Sequence, residues 1–206
     1  MIRVGLTGGY ATGKTFVAAE LGRLGCYVIY ADRLGHQVLE PGGEAYQPAV
    51  HLFGSGIVDP NGVIDRKQLA ELVFDAPELL EQLTAIVHPA VFRLERELTD
   101  QYARENPSGM VVYEAAILIE TGRYSTYDRL IVTAADQETQ IARGMHRDGV
   151  TREQALARIH RQLPLDEKRK YANYVIDTSG TKEDTARQVR EVYEDLKRLA
   201  EKGTHA

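Results

Sequence analysis

The sequence predicts an α/β fold on a five-stranded parallel sheet, and three observations carry that prediction. Five short apolar runs read as buried strands: Arg3–Thr7, Cys26–Ala31, Met110–Tyr113, Leu130–Thr133 and Tyr174–Asp177. Each is bounded by polar or glycine-containing segments, as a strand covered on both faces requires. Helical patterns separate most of the runs, and alternating strands and helices imply parallel pairing. A glycine-rich loop joins the first run to the first helical run, Thr15–Leu21, in a strand–loop–helix unit.

Within that unit, Gly8-Gly9-Tyr10-Ala11-Thr12-Gly13-Lys14-Thr15 satisfies G-x-x-x-x-G-K-[ST] at every fixed position. Glycines let the backbone curl so that successive N–H groups point inward, and the helix start adds partial positive charge. In such a loop Lys14 reaches the β- and γ-phosphates of a nucleoside triphosphate, and the Thr15 hydroxyl binds Mg²⁺. The fold expected is therefore a three-layer α/β/α domain of the P-loop kinase type.

The second strand leads into Asp32. In open parallel sheets, ligands gather beyond the carboxyl ends of the strands. A phosphoryl-acceptor hydroxyl also needs a carboxylate to orient it and take its proton, so Asp32 is the candidate base. A helix N-cap is the alternative role for it. The stretch from Asp32 to Gly109 is far longer than one crossover helix needs. It holds turn-rich Glu40-Pro41-Gly42-Gly43-Glu44, a hairpin-like Val58–Val63 and helical runs at Arg66–Phe74, Pro77–Ile86 and Ala90–Arg104. The break between the last two falls at His88-Pro89. Residues 33–108 are expected to form a mostly helical substrate-binding insertion. The core is expected from residues 1–32, 109–137 and 171–206.

After the third strand stand Glu114 and Glu120. Each could lie near Mg²⁺ or the acceptor, and each could instead cap or pair locally. After the fourth strand, Gln137–His146 is helical and Thr151-Arg152-Glu153-Gln154 is a capping box that opens another helix. Between residues 143 and 170, eight Arg and Lys face four Asp and Glu, in a chain of net charge −5. A basic helical pair next to a phosphate loop suits a lid over anionic groups, here residues 138–170. Asp177-Thr178-Ser179-Gly180 and Thr181-Lys182-Glu183-Asp184 imitate GTPase signatures. They are contiguous, so one loop would have to reach both ends of the nucleotide, and chance is the better account.

The whole composition sets outer bounds. At 206 residues, 43% hydrophobic and 27% charged, the chain suits one globular domain with elaborations. The negative net charge disfavours nonspecific nucleic-acid binding. No apolar run approaches the ~20 residues of a membrane span. The first strand starts close to the N-terminus, so no targeting segment is expected. Cys26 is the one cysteine, so no internal disulfide forms, and a cytoplasmic location is expected.

The full pattern resembles the dephospho-coenzyme A kinase family nearly end to end. The resemblance rests on Gly5–Gly9 with the phosphate loop, Ala31-Asp32 with His36 and Pro41-Gly42, and Gly62–Arg66. Ile86-Val87-His88-Pro89 belongs to it too, as do Gln140–Arg143, Arg147-Asp148-Gly149, Arg158, Gln162-Leu163-Pro164 with Lys168, and Tyr174–Asp177. It implies transfer of the γ-phosphate of ATP to the ribose 3′-hydroxyl of dephospho-coenzyme A, with Mg²⁺. Asp32 would be the base, with Lys14 and Arg143 as further catalytic residues. Gly9, Ala11, Thr12, Gly13, Lys14, Thr15, Phe16 and Arg147 would hold ATP, while His88, Glu114 and Arg143 would contact the acceptor. A monomer or small homo-oligomer is expected. The family commonly carries Asp-Pro where Glu114-Ala115-Ala116 stands, and often asparagine where Thr178 stands. A nucleoside monophosphate or shikimate kinase, and a regulatory nucleotide switch, are the rival readings.

Overall fold

The structure is a computed structural model that describes residues 1–74 and 76–203. Its chain divides into two compact units: residues 1–29 with the chain from 102 onward, and residues 30–101. The first unit carries the sheet. Strands β1 (Ile2–Gly8), β2 (Tyr27–Tyr30), β3 (Met110–Glu114), β4 (Arg129–Ala134) and β5 (Tyr174–Asp177) lie in the order β2-β3-β1-β4-β5. Strand β1 is central and pairs in parallel with β3 and β4, and β4 pairs in parallel with β5. The register sets Leu6 opposite Glu114, and Gly8 opposite Thr133.

Val4, Leu6, Val112, Ile131, Val132 and Ile176 are fully buried, which is why these strands read as unbroken apolar runs. Helix α1 (Lys14–Arg23) buries Val17, Ala18 and Leu21, one stripe of a 3.6-residue period. It packs against the long C-terminal helix α9 (Lys182–Gly203), whose Val189 and Leu196 are likewise fully buried. Cys26, just before β2, is buried, and desolvation pushes its thiol up to about 12.

Three helices lie between β4 and β5: α6 (Gln137–Asp148), α7 (Arg152–His160) and α8 (Leu165–Arg169). Asp136 caps α6 by accepting the Thr139 N–H at 2.8 Å, and the capping box of Thr151 and Gln154 opens α7 as expected. No helix among the described residues is long and apolar enough to cross a membrane.

The second unit holds α2 (Ala31–Gln37), α3 (Tyr46–Phe53), α4 (Arg66–Phe74) and most of α5 (Pro77–Glu105). Its core is Ala49, Ile57, Ile64, Leu69 and Val73, with Phe53, Leu79 and Leu83 packed around it. The hairpin-like stretch closes as one antiparallel bridge, Val58 with Ile64, and the Asp59 carboxylate accepts the Asn61 and Val63 N–H groups at 2.9 Å each.

Two expectations need correction here. The second strand stops at Tyr30, and Asp32 is the second residue of α2, not its N-cap, a position that Tyr30 takes. The helical runs on either side of His88-Pro89 are one helix, with Pro89 inside it. A mid-helix proline costs ~3 kcal/mol through its lost N–H and its clash with the preceding turn. Helix α5 outweighs that by its length of 29 residues and its buried face of Ala90, Val91, Glu95 and Thr99.

Candidate active site

The glycine-rich loop leaves the central strand at Gly8, and its shape is fixed by close approach. A Cβ on Gly8 would stand 2.2 Å from Thr133 Oγ1 and 2.6 Å from the Thr133 carbonyl oxygen. The buried Thr12 hydroxyl lies 2.8 Å from the Gly9 carbonyl oxygen and 2.7 Å from Thr133 Oγ1. Ala11 has φ 55°, alone among the described non-glycine residues in being positive, and Gly13, at the start of α1, has φ 76°. A non-glycine residue in the left-handed region costs about 1–3 kcal/mol and persists where its surroundings over-determine it. The curl of the loop is thus preformed.

The helix start adds the charge. The first turn of α1 turns its N–H groups toward the loop, as any helix N-terminus must. Lys14 folds back over this concavity, and its ammonium donates to the Gly9 carbonyl at 3.0 Å and the Gly8 carbonyl at 3.4 Å. Thr15 is exposed in the same turn. An open cavity of about 450 Å³ lies over the loop, lined by Ala11, Thr12, Gly13, Lys14, Thr15, Arg143, His146 and Arg147. A smaller cavity of about 150 Å³ adjoins it through Gly13 and Arg143, and Phe16, Thr178 and Lys182 also line it. The Lys182 ammonium sits 5.9 Å from the centre of the Phe16 ring.

Thr178 ties this second cavity together. Its side chain is buried, and its hydroxyl lies 3.0 Å from the Thr12 carbonyl oxygen and 3.1 Å from that of Ala134. Arg143 donates to that hydroxyl at 3.0 Å and to the Thr178 carbonyl at 2.6 Å. One hydroxyl therefore joins the loop, the end of β4 and an arginine. Sequence reasoning marked Thr178 as a departure from a pattern and missed this junction. The sequence signal was its place one residue beyond the last strand.

Of the two acids expected after the third strand, Glu114 instead ends β3 itself, where it is buried. Glu120 is committed to partners far along the chain. Its carboxylate pairs with Lys168 at 2.7 Å and accepts the Leu163 N–H at 3.2 Å. Lys168 is fully buried, and its ammonium also donates to the carbonyls of Ala116 at 3.0 Å and Gly8 at 3.5 Å. That charge is compensated where it stands, as a buried cation must be. The look-alike at 181–184 proves to be a helix start, with the Asp184 N–H donating to Thr181 Oγ1 at 3.1 Å.

The structure thus gathers Gly9, Ala11, Thr12, Gly13, Lys14, Thr15, Phe16, Arg143 and Arg147 within the first unit. Arg147 also pairs with Asp148 at 2.7 Å. Asp32 and His88 belong to the second unit. Asp32 is exposed in the first turn of α2, and the His88 ring lies 5.6 Å from that of Phe92.

The profile of the dephospho-CoA kinase family matches residues 2–184. The chain belongs to the dephospho-CoA kinase family. A dephospho-CoA kinase of Aquifex aeolicus is 41% identical over 96% of this chain and 99% of its own. One from Geobacter metallireducens is 44% identical over 92% and 94%. A crystallised protein from Thermus thermophilus superposes with a TM-score of 0.78 at 36% identity, covering 95% of this chain and 97% of its own. The dephospho-CoA kinase of Campylobacter jejuni, at 23% identity and a TM-score of 0.67, shares the fold over 94% of this chain and 96% of its own. The family membership makes the chain a kinase, and the α/β architecture agrees with it.

Proposed function

We propose that the protein transfers the γ-phosphate of ATP to the ribose 3′-hydroxyl of dephospho-coenzyme A, releasing coenzyme A and ADP. Membership of the family supports the donor and the acceptor. The observation that carries the chemistry is the cavity over the phosphate loop, where Lys14, Arg143 and Arg147 converge on the start of α1.

Phosphoryl transfer asks for positioning and charge neutralisation more than for covalent help. In the reaction, a bond forms between the 3′-oxygen and the γ-phosphorus as the bond to the β–γ bridging oxygen breaks. Lys14 and the amides of Ala11 to Phe16 hold the phosphates, and the two arginines offset the charge that builds on the transferred group. Asp32, two residues beyond β2, takes the proton of the acceptor hydroxyl. Glu114, Arg143 and His88 are assigned to the acceptor.

Mg²⁺ would be held by the Thr15 hydroxyl and by the phosphates, and it would neutralise phosphate charge. The residues present suit it. The exposed Thr15 side chain lines the cavity over the loop, and Mg²⁺ characteristically binds through few side chains plus substrate phosphates. The cytoplasm suits an ATP-dependent enzyme whose cysteine is unpaired.

A coupled ADP-release assay across dephospho-coenzyme A, shikimate, nucleoside monophosphates and no acceptor tests the reading. Dephospho-coenzyme A should give the fastest release by a wide margin. Background release with it, and turnover with another acceptor, would overturn the assignment.

A further inference from the structure

Tyr10 occupies one of the unconstrained positions of the phosphate loop. The loop grips phosphate with backbone groups, so the side chain there is free for another task. In this chain it is spent on the basic helices. The Tyr10 hydroxyl donates to Asp148 Oδ2 at 2.5 Å. The same carboxylate accepts Arg147 Nε at 2.7 Å and a second Arg147 nitrogen at 3.1 Å, and it pairs with Arg158 at 2.5 Å. Both guanidinium groups also lie against the Tyr10 ring, 5.3 and 5.6 Å from its centre.

The packing around this cluster is selective. Asp148 is the last residue of α6, where the helix dipole disfavours a carboxylate, so its neighbours and not its helix account for it. Gly144 lies one turn before it. A Cβ at that position would stand 2.5 Å from a ring carbon of Tyr10. Mid-helix glycine costs ~1 kcal/mol against alanine, and here the missing methyl makes room for the ring. The arginines remain substantially exposed, 61% for Arg147 and 44% for Arg158. Exposed ion pairs contribute little to stability, so the consequence of this arrangement is geometric. It sets Arg147 at the mouth of the cavity that Ala11 to Thr15 line.

We propose that Tyr10 is a positioning residue for nucleotide capture: through Asp148 it presets Arg147 beside the phosphate loop before ATP arrives. The proposal rests on the kinase reading above. A guanidinium placed in advance loses less freedom on binding than one recruited from solvent, and affinity gains accordingly.

Tyr10→Phe removes the hydroxyl and keeps the ring, so folding should survive. The expected result is a KM for ATP raised about tenfold, the scale of a lost hydrogen bond to a charged group, with kcat falling less than twofold. Calorimetric titration of ATP in the absence of acceptor should show the same tenfold loss. That measurement decides the role of Tyr10 even if dephospho-coenzyme A proves not to be the acceptor. In an Arg147→Ala background, Tyr10→Phe should change ATP affinity less than twofold, because the group it positions is gone. An unchanged ATP affinity in Tyr10→Phe would overturn the proposal. So would an equal loss with and without Arg147, or a lower Tm and kcat with affinity intact.

Discussion

Lys168 is fully buried against the Glu120 carboxylate, and breaking that pair should be costly. Lys168→Met keeps the stem and deletes the ammonium. It strands the Glu120 carboxylate, 24% exposed, while the Ala116 carbonyl keeps the Thr7 hydroxyl at 3.1 Å. Removing one partner of a buried pair typically costs about 3–5 kcal/mol, because the other charge stays behind uncompensated. For a chain of 206 residues, 1 kcal/mol corresponds to roughly 2–4 °C in Tm, so the expected drop is about 6–20 °C. Adding Glu120→Gln should return most of that loss. It removes the stranded charge and leaves an oxygen for the Leu163 N–H. The assay is thermal unfolding by circular dichroism without nucleotide, with urea midpoints as a second measure. The reasoning is refuted if Lys168→Met costs less than about 3 °C, or if the double variant falls by the sum of the singles, since coupled partners must be non-additive.

Further tests follow from the site and its neighbours. Asp32→Asn should retain ATP affinity and lose turnover by about 10²–10⁴, the usual range for general-base help; turnover within threefold of wild type would remove Asp32 from that role. Gly8→Ala puts a methyl within 2.6 Å of both a buried hydroxyl and a backbone carbonyl, so calorimetry should find ATP binding reduced more than a hundredfold. The guanidinium of Arg147, and then the Tyr10 hydroxyl, hold the Asp148 carboxyl far below the usual range. A carboxyl lowered in the folded state stabilises fully above its unfolded value and loses that contribution only as pH falls through its folded value. The Tm gap between wild type and Asp148→Asn should therefore stay constant from pH 8 to about 5 and narrow only below about 4. Cys26, with its thiol pushed up to about 12, should resist iodoacetamide at pH 8 in the native protein and react once urea unfolds it.

The strands were legible because a sheet covered on both faces needs unbroken apolar runs, and β1, β3 and β5 fall within a residue of their expected limits. The phosphate loop was legible because its glycines and its lysine answer to local backbone geometry. Helix α5 was misread at Pro89, since a local rule about proline cannot weigh a buried face that develops beyond it at Ala90, Val91, Glu95 and Thr99. The pairings that shape the site were hidden for a different reason. Tyr10 meets Asp148 across 138 residues, and Arg143 meets Thr178 across 35. No periodicity records such contacts, because they depend on how strands order themselves in the sheet. The family resemblance implied that Arg143 and Arg147 serve the site, yet the partners that hold them emerge only in three dimensions.

The buried solitary thiol has a practical side. Cys26 is the one sulfhydryl in the chain and is buried, so the native protein should present a blank background to maleimide dyes and spin labels. A single cysteine introduced on the exposed face of α7, at Glu153 for instance, would carry the whole signal with no need to delete the natural one. A change in the position of α7 on ATP binding could then be looked for by fluorescence or by electron spin resonance in an otherwise unaltered enzyme.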